Sequence, residues 1–368
     1  MTLFEPFRLG EVALANRIVV SPMCQYSARS GCATDWHLVH WGQLLQSGAG
    51  LVYVEATAVE PEGRITPQCL GIYDDACERA FTEVMARARR CAPPVPVAMQ
   101  LAHAGRKGSS AAPWVGGRVA PGAGGWQTVA PSAVPYAEGD PVPEAIDAAG
   151  LARVRDAFAQ AARRAHRAGV DVIEIHMAHG YLLHQFLSPL SNLREDAWGG
   201  DFDGRTRFPL EVFDAVRATL PASVPVGVRV SATDWVDGGW TVDDTVVLAT
   251  VLAARGCAFV DVSSAGISPK QRIESRPGLH VPFARAVRHG ASVPTIAVGL
   301  ITEPAQADAI VAAGDADLVA LARGFLWNPR WVWHAAAHLG ATVVAPAQYE
   351  RAAPQGADRV LVRGSPHR

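Results

Sequence analysis

No two cysteines in this 368-residue chain are spaced as C-x-x-C: Cys24, Cys32, Cys69, Cys77, Cys91 and Cys257 stand apart. Zinc ribbons and iron–sulfur clusters need grouped thiolates, so both are set aside, and the six cysteines are expected to be free thiols. Charge of one sign is also missing in excess. The formal net charge is -2 and the pI ≈ 6.6, which gives no electrostatic pull toward nucleic acid or an acidic membrane. Long apolar runs are absent too; residues 49–59 come nearest and are interrupted by Glu55. Met1-Thr2-Leu3-Phe4-Glu5-Pro6 carries an acid early and has neither the basic start nor the apolar core of a signal peptide. The expectation is a cytoplasmic protein that binds neither nucleic acid nor membrane and whose partners are small molecules.

What is present is alternation. The chain is 49% hydrophobic, enough for a full core, and short β-branched runs alternate with longer stretches of helical period. Candidate strands fall at 17–21, 51–56, 95–101, 170–176, 226–230, 259–263, 295–298 and 318–321. Candidate helices fall between and after them, at 37–46, 75–91, 151–168, 205–219, 241–254, 281–289, 303–313 and 329–338. Repeated β-then-α units in one chain of this length predict an α/β fold, a (β/α)8 TIM barrel spanning residues 1–345. Residues 108–147 do not fit a minimal barrel, since 13 of the 40 are Gly or Pro and no period is sustained. A loop so long after the third strand is expected to be a lid or an excursion framing a pocket. Residues 346–368 form a tail that could touch a neighbouring subunit, with disorder expected over the last five.

In such a barrel the strand C-termini share one mouth. That brings together Ser21, Pro22, Met23, Cys24 and Tyr26; Ala56; Gln100, His103 and Lys107; His176, His179 and Tyr181; Arg229; Gly299; and Arg323 with Gly324. Two imidazoles and a phenol emerging from the fourth strand point to a site, because buried polar rings must find partners. Glycines at the ends of the last two strands let backbone amides approach an anion, and Arg323 adds charge, so an organic phosphate is expected there. Cys24 also reads as a small buried hydrophobe, and Lys107 as a solvated loop residue that could instead meet the phosphate side or the substrate mouth.

Several separate motifs stand in order along the chain. They are Ser21-Pro22-Met23-Cys24-Gln25-Tyr26, Gln100-Leu101-Ala102-His103-Ala104-Gly105-Arg106-Lys107, and His176-x-x-His179-Gly180-Tyr181 with Phe186-Leu187-Ser188-Pro189. Asn192-x-Arg194-x-Asp196-x-x-Gly199-Gly200 and Arg205-x-Arg207-Phe208 follow. Together they resemble the motifs of the Old Yellow Enzyme family of flavin-dependent ene-reductases. The resemblance runs from Phe4 to about Arg351, and Cys24 with Tyr26 is similar to the thermophilic-like branch that includes xenobiotic reductases.

That resemblance implies an FMN cofactor with NADPH or NADH as reductant, reducing activated C=C bonds of α,β-unsaturated carbonyl, maleimide or nitro compounds by a ping-pong mechanism. It implies Ser21, Pro22, Met23, Cys24, Ala56, Gln100 and Arg229 around the flavin ring, and Gly299, Arg323 and Gly324 at its phosphate. It further implies that His176 and His179 hold the substrate oxygen, Tyr181 delivers a proton, and Tyr26 touches substrate. Arg351 is implied to reach a neighbour's site in a homodimer or dimer of dimers. Two other readings stay open on the residues alone. One is a metal-dependent barrel lyase or hydrolase with His176 and His179 as ligands, although Glu55 and Glu174 are expected to point elsewhere. The other is a flavin-binding protein without catalysis.

Overall fold

The computed structural model describes residues 2–363; the expectation of disorder over residues 364–368 lies outside them. Eight parallel strands close into a barrel. In chain order they are β1 (Ile18–Val20), β2 (Leu51–Ala58), β3 (Val97–Ala102), β4 (Val172–Met177), β5 (Val226–Ser231), β6 (Val260–Ser263), β7 (Thr295–Val298) and β8 (Leu318–Leu321). Each pairs with its neighbour in sequence, and β8 closes on β1 through Ala320 and Val19. Every residue of these strands is buried, as expected where helices cover the outside and side chains fill the inside.

The strands alternate between two cores. Outward residues such as Val52, Val54, Ile173, Ile175, Val228 and Val262 join the large cluster under the helices. Inward residues Val19, Leu51, Tyr53, Ala98, Val172, Phe259, Ile296 and Leu318 form a second cluster. Its floor is an antiparallel hairpin, Phe7–Leu9 with Val12–Leu14, whose Leu9 and Leu14 plug the barrel from below. This hairpin was not expected, because three-residue strands carry too little pattern to read.

The long helices are α1 (Asp35–Leu45), α2 (Asp75–Arg89), α3 (Ala148–Arg167), α4 (Phe202–Thr219), α5 (Val242–Ala254), α6 (Val281–Ala291), α7 (Pro304–Ala312) and α8 (Trp331–Leu339). Two of them start three residues earlier than their periodicity suggests. In α3 the Asp147 carboxylate accepts from Gly150 N at 2.7 Å, and in α4 Asp201 accepts from Gly204 N at 2.9 Å, so capping chemistry sets the boundary. Between β3 and α3, residues 108–147 form an irregular excursion whose only paired strands among the described residues are Val129–Ala130 and Glu144–Ala145. After α8 the chain turns back, and Leu361–Arg363 pairs in parallel with Val343–Ala345.

Candidate active site

Strand register builds the centre of the mouth. Gln100 on β3 stands beside Glu174 on β4, His176 beside Arg229 on β5, and Arg229 beside Asp261 on β6. These side chains make a buried polar layer above the apolar plug. Tyr53 donates its hydroxyl to Glu174 Oε2 at 2.8 Å, and Gln100 Nε2 donates to Glu174 Oε1 at 2.7 Å. Arg229 Nε lies 3.3 Å from Asp261 Oδ2, misaligned for a hydrogen bond, and both Asp261 oxygens lack a hydrogen-bond partner. Two carboxyls facing one guanidinium in a dry interior cannot both ionise easily. Burial, with Asp261 next, pushes the Glu174 carboxyl up to about 8, and burial raises Asp261 as well. The expectation that Glu174 points elsewhere is therefore corrected. It lies two residues before His176 on the same strand and shares its inward face.

Above this layer β4 delivers the imidazoles and the phenol. Ala178 N donates to His176 Nδ1 at 3.1 Å, which leaves the proton on Nε2, directed at His179 Nδ1 3.3 Å away. His179 Nε2 in turn meets Ser263 Oγ at 2.7 Å. Both rings are neutral in this chain of bonds; burial and then Arg229 hold their pKa values well below the usual histidine range. The two N–H groups are thus used within the chain, and an incoming oxyanion would take them in exchange. The Tyr181 ring stands edge-on to His176, with centroids 5.0 Å apart. Burial holds its hydroxyl well above the usual phenol pKa.

The backbone that carries these groups is unusual. His179 and Gly180 have φ of 60° and 71°. A Cβ at Gly180 would sit 2.0 Å from Gly266 O, so only glycine fits where the loop after β4 meets the loop after β6. Lys107 lies beside that contact. It is neither a solvated loop residue nor directed at the phosphate end: its ammonium donates to His179 O at 2.8 Å and to Gly266 O at 3.1 Å.

On the opposite side the ends of β7 and β8 border a cavity of about 590 Å³, lined by Gly299, Thr302, Ala322, Arg323, Gly324 and Trp327 among others. Gly299 has φ of 110°, and a Cβ there would meet the His280 ring at 2.5 Å. Arg323 and Gly324 open a short helix, Arg323–Trp327, at this end, and the first N–H groups of a helix have no partner within it. Besides the Asp261 oxygens, the buried polar atoms near the mouth that have no partner among the described residues include Ser21 Oγ, Arg229 Nε and His280 Nδ1. A glycine-lined cavity beside an arginine, with unsatisfied donors at the barrel centre, fits the phosphate and polar edge of FMN.

The loop after β1 supplies the remaining residues. Pro22, Met23, Cys24 and Tyr26 are half-buried, and Tyr26 has φ of 51°. Burial, then Cys69 and Glu55, raises the Cys24 thiol pKa well above its usual value, so it stays a neutral thiol. Tyr26 contacts Trp114 of the excursion edge-on at 5.7 Å. Ala56 is buried in β2, and His103 is bound to Glu60 Oε1 at 2.9 Å, supporting its loop. Arg351 is exposed on the short helix Ala347–Ala352, which packs on α8 through Tyr349 and Trp333 at 5.5 Å. Sequence reading missed Tyr53, Glu174, Asp261 and Ser263. Inward parity on each strand would have found Tyr53 and Glu174. All six cysteines are free, and among the described residues no three His, Cys, Asp or Glu side chains are grouped to hold a metal. Among the same residues no helix is long and apolar enough to cross a membrane.

Comparison with known proteins shows the family and the fold. The model of the NADH:flavin oxidoreductase / NADH oxidase family matches residues 2–341. An NADPH dehydrogenase of Geobacillus thermodenitrificans is 43% identical over 351 residues, covering 95% of this chain and 98% of that one. Among solved structures, morphinone reductase superposes with a TM-score of 0.76 at 29% identity, over 93% of this chain and 90% of that chain. Morphinone reductase in complex with tetrahydroNAD gives 0.74 at 28% identity, over 100% of this chain and 99% of that chain.

Proposed function

This chain belongs to the Old Yellow Enzyme family, the NADH:flavin oxidoreductases, and is an FMN-dependent oxidoreductase of NADH or NADPH; from that premise we propose that it reduces activated C=C bonds. The substrates are α,β-unsaturated carbonyl, maleimide or nitro compounds. FMN, when bound, would supply the hydride chemistry that links nicotinamide oxidation to substrate reduction, in the two half-reactions of a ping-pong scheme.

The residues divide that work. Gly299, Arg323 and Gly324 would hold the phosphate, the backbone amides and guanidinium neutralising it without a metal. Ser21, Pro22, Met23, Cys24, Ala56 and Gln100 would line the ring, with Cys24 adjusting fit as a neutral thiol. Arg229 would face the ring's polar edge, where its fixed charge would favour added electron density. Its partner Asp261 is only loosely engaged at 3.3 Å, which leaves that charge available.

His176 and His179 donate to the substrate carbonyl or nitro oxygen. As that oxygen gains charge the two donors strengthen, so they stabilise the transition state more than the bound substrate. Tyr181 gives its proton to the α-carbon; a raised pKa keeps it protonated at neutral pH, and an enolate-like carbon is basic enough to accept it. Tyr26 adds a polar contact to substrate, and residues 108–147 act as a lid whose Trp114 rests on Tyr26. Arg351 completes the site of a second copy in a two-fold dimer or a dimer of dimers, in the cytoplasm.

The observation that carries this reading is the edge-on packing of Tyr181 on His176, with His176 in register with Arg229. It brings a phenol, an imidazole and a guanidinium together on neighbouring strand ends, which supports reading them as acid, oxygen-holding donor and flavin-facing cation. Steady-state turnover of a panel of enones, maleimides and nitroalkenes with NADPH and NADH tests it. Turnover of none of them above the rate of dioxygen reduction would refute the substrate class.

A further inference from the structure

Of the 33 basic residues in this chain only Lys107 and Lys270 are lysines. Where arginine is the default, a lysine marks a place that suits a compact ammonium on a thin stem better than a planar fork. Lys107 occupies such a place. It ends the turn Gly105–Lys107 after β3, and its side chain runs into the seam between two loops of the mouth. Two backbone carbonyls accept its protons: His179 O at 2.8 Å, from the loop that carries the imidazole and phenol, and Gly266 O at 3.1 Å, from the loop after β6. Two aromatic rings cover the rest, Tyr181 at 5.3 Å and Tyr136 of the excursion at 4.8 Å from ammonium to centroid.

The seam needs such a tie. His179 and Gly180 hold left-handed backbone conformations, with φ of 60° and 71°, and histidine adopts this at a cost. The two loops touch backbone to backbone, so no side chain fills the gap between them: a Cβ on Gly266 would fall 2.5 Å from His179 Cα. A cation shared by the carbonyls of both loops holds them together and fixes the residue before Gly180-Tyr181. The same cation on the Tyr181 ring opposes free rotation of the phenol and favours the negative charge left on its oxygen after proton transfer.

Resting on the reading of Tyr181 as proton donor, we propose that Lys107 is the positioning residue for that donor, pinning the loop after β4 to the loop after β6 and bearing on the Tyr181 ring. Arg106 supports the arrangement from the next position, donating from Nη2 to Ile267 O at 2.7 Å. Burial, then Arg106 and Arg118, lowers the Lys107 pKa to about 8.

The test compares Lys107→Met, Tyr181→Phe and the double variant as FMN-loaded proteins. The two half-reactions are followed by stopped flow, and binding of a para-substituted phenol is followed by its long-wavelength charge-transfer band. Lys107→Met is expected to slow oxidation by an enone about 10- to 100-fold, the scale of a misplaced catalytic group. It is expected to weaken the phenol band, with the loss concentrated in the oxidative half-reaction. The double variant should oxidise no more than about twofold slower than Tyr181→Phe alone, because a positioning residue has nothing left to position. Slowing of both half-reactions alike, or a full further loss on top of Tyr181→Phe, would overturn the assignment. If Tyr181→Phe is itself as fast as wild type, the failure belongs to the donor reading and not to Lys107. Should Lys107→Met not hold FMN, Lys107→Arg carries the same comparison: loss confined to the oxidative half-reaction supports the role, and loss spread over both overturns it.

Discussion

Glu174→Gln should change how stability responds to pH, in a direction that the barrel centre dictates. Glu174 is fully buried, accepts hydrogen bonds from Tyr53 and Gln100, and shares the Arg229 charge with Asp261. Burial pushes its carboxyl from an ordinary value of 4.5 up to about 8 in the fold. Between those values the native state binds more protons than the unfolded one, so wild-type stability falls as pH rises through this window and levels off above it. At about 1.4 kcal/mol per pKa unit the ceiling is ~5 kcal/mol, and sharing with Asp261 reduces the expected change to about 2 kcal/mol. Glutamine cannot ionise. The variant loses some stability at pH 5, where its amide must repack against Gln100, and regains it relative to wild type at pH 8.5. In thermal melts at saturating FMN, the difference in Tm (variant minus wild type) should rise by about 2–3 °C between those pH values. A difference that stays constant would show that Glu174 does not carry a raised pKa.

Two further outcomes follow from the mouth. Replacing both His176 and His179 with alanine should weaken a para-substituted phenol and abolish its charge-transfer band, since donors to a charged oxygen contribute roughly 1.5–3 kcal/mol each; unchanged affinity in a titration would remove both from the substrate site. Arg351→Ala should raise the KM for enones with flavin content unchanged, and sedimentation should show a dimer or tetramer; a fully active monomer would exclude a shared site. The point variant is the cleaner test than truncation at Gln348, because Val360 and Leu361 are buried against the body and would be lost with the tail.

The barrel was legible because parallel strands buried on both faces leave continuous apolar runs, and all eight lie within two residues of where those runs suggest. Helix starts were less legible. Asp147 and Asp201 look like loop residues until their carboxylates are seen capping α3 and α4. The floor hairpin and the short helices Leu182–Leu187 and Arg323–Trp327 carry too few residues for a period. In the site, the motif residues from Ser21 to Gly324 could be named from the chain and their strand ends meet, but their partners could not. Asp261 matters because strand register sets it beside Arg229, and Lys107 because two loops far away in sequence meet beneath its ammonium. Those are facts of closure, which no local pattern encodes.

The most direct test of the central claim separates the two half-reactions in Tyr181→Phe. Nicotinamide oxidation needs no proton from Tyr181, whereas saturation of an enone does. Stopped-flow flavin absorbance should show reduction by NADPH within about twofold of wild type, and reoxidation by an enone slowed by about 100-fold or more. Equal slowing of both steps, or an unchanged rate of reoxidation, would contradict the account of Tyr181 as the acid of an ene-reductase.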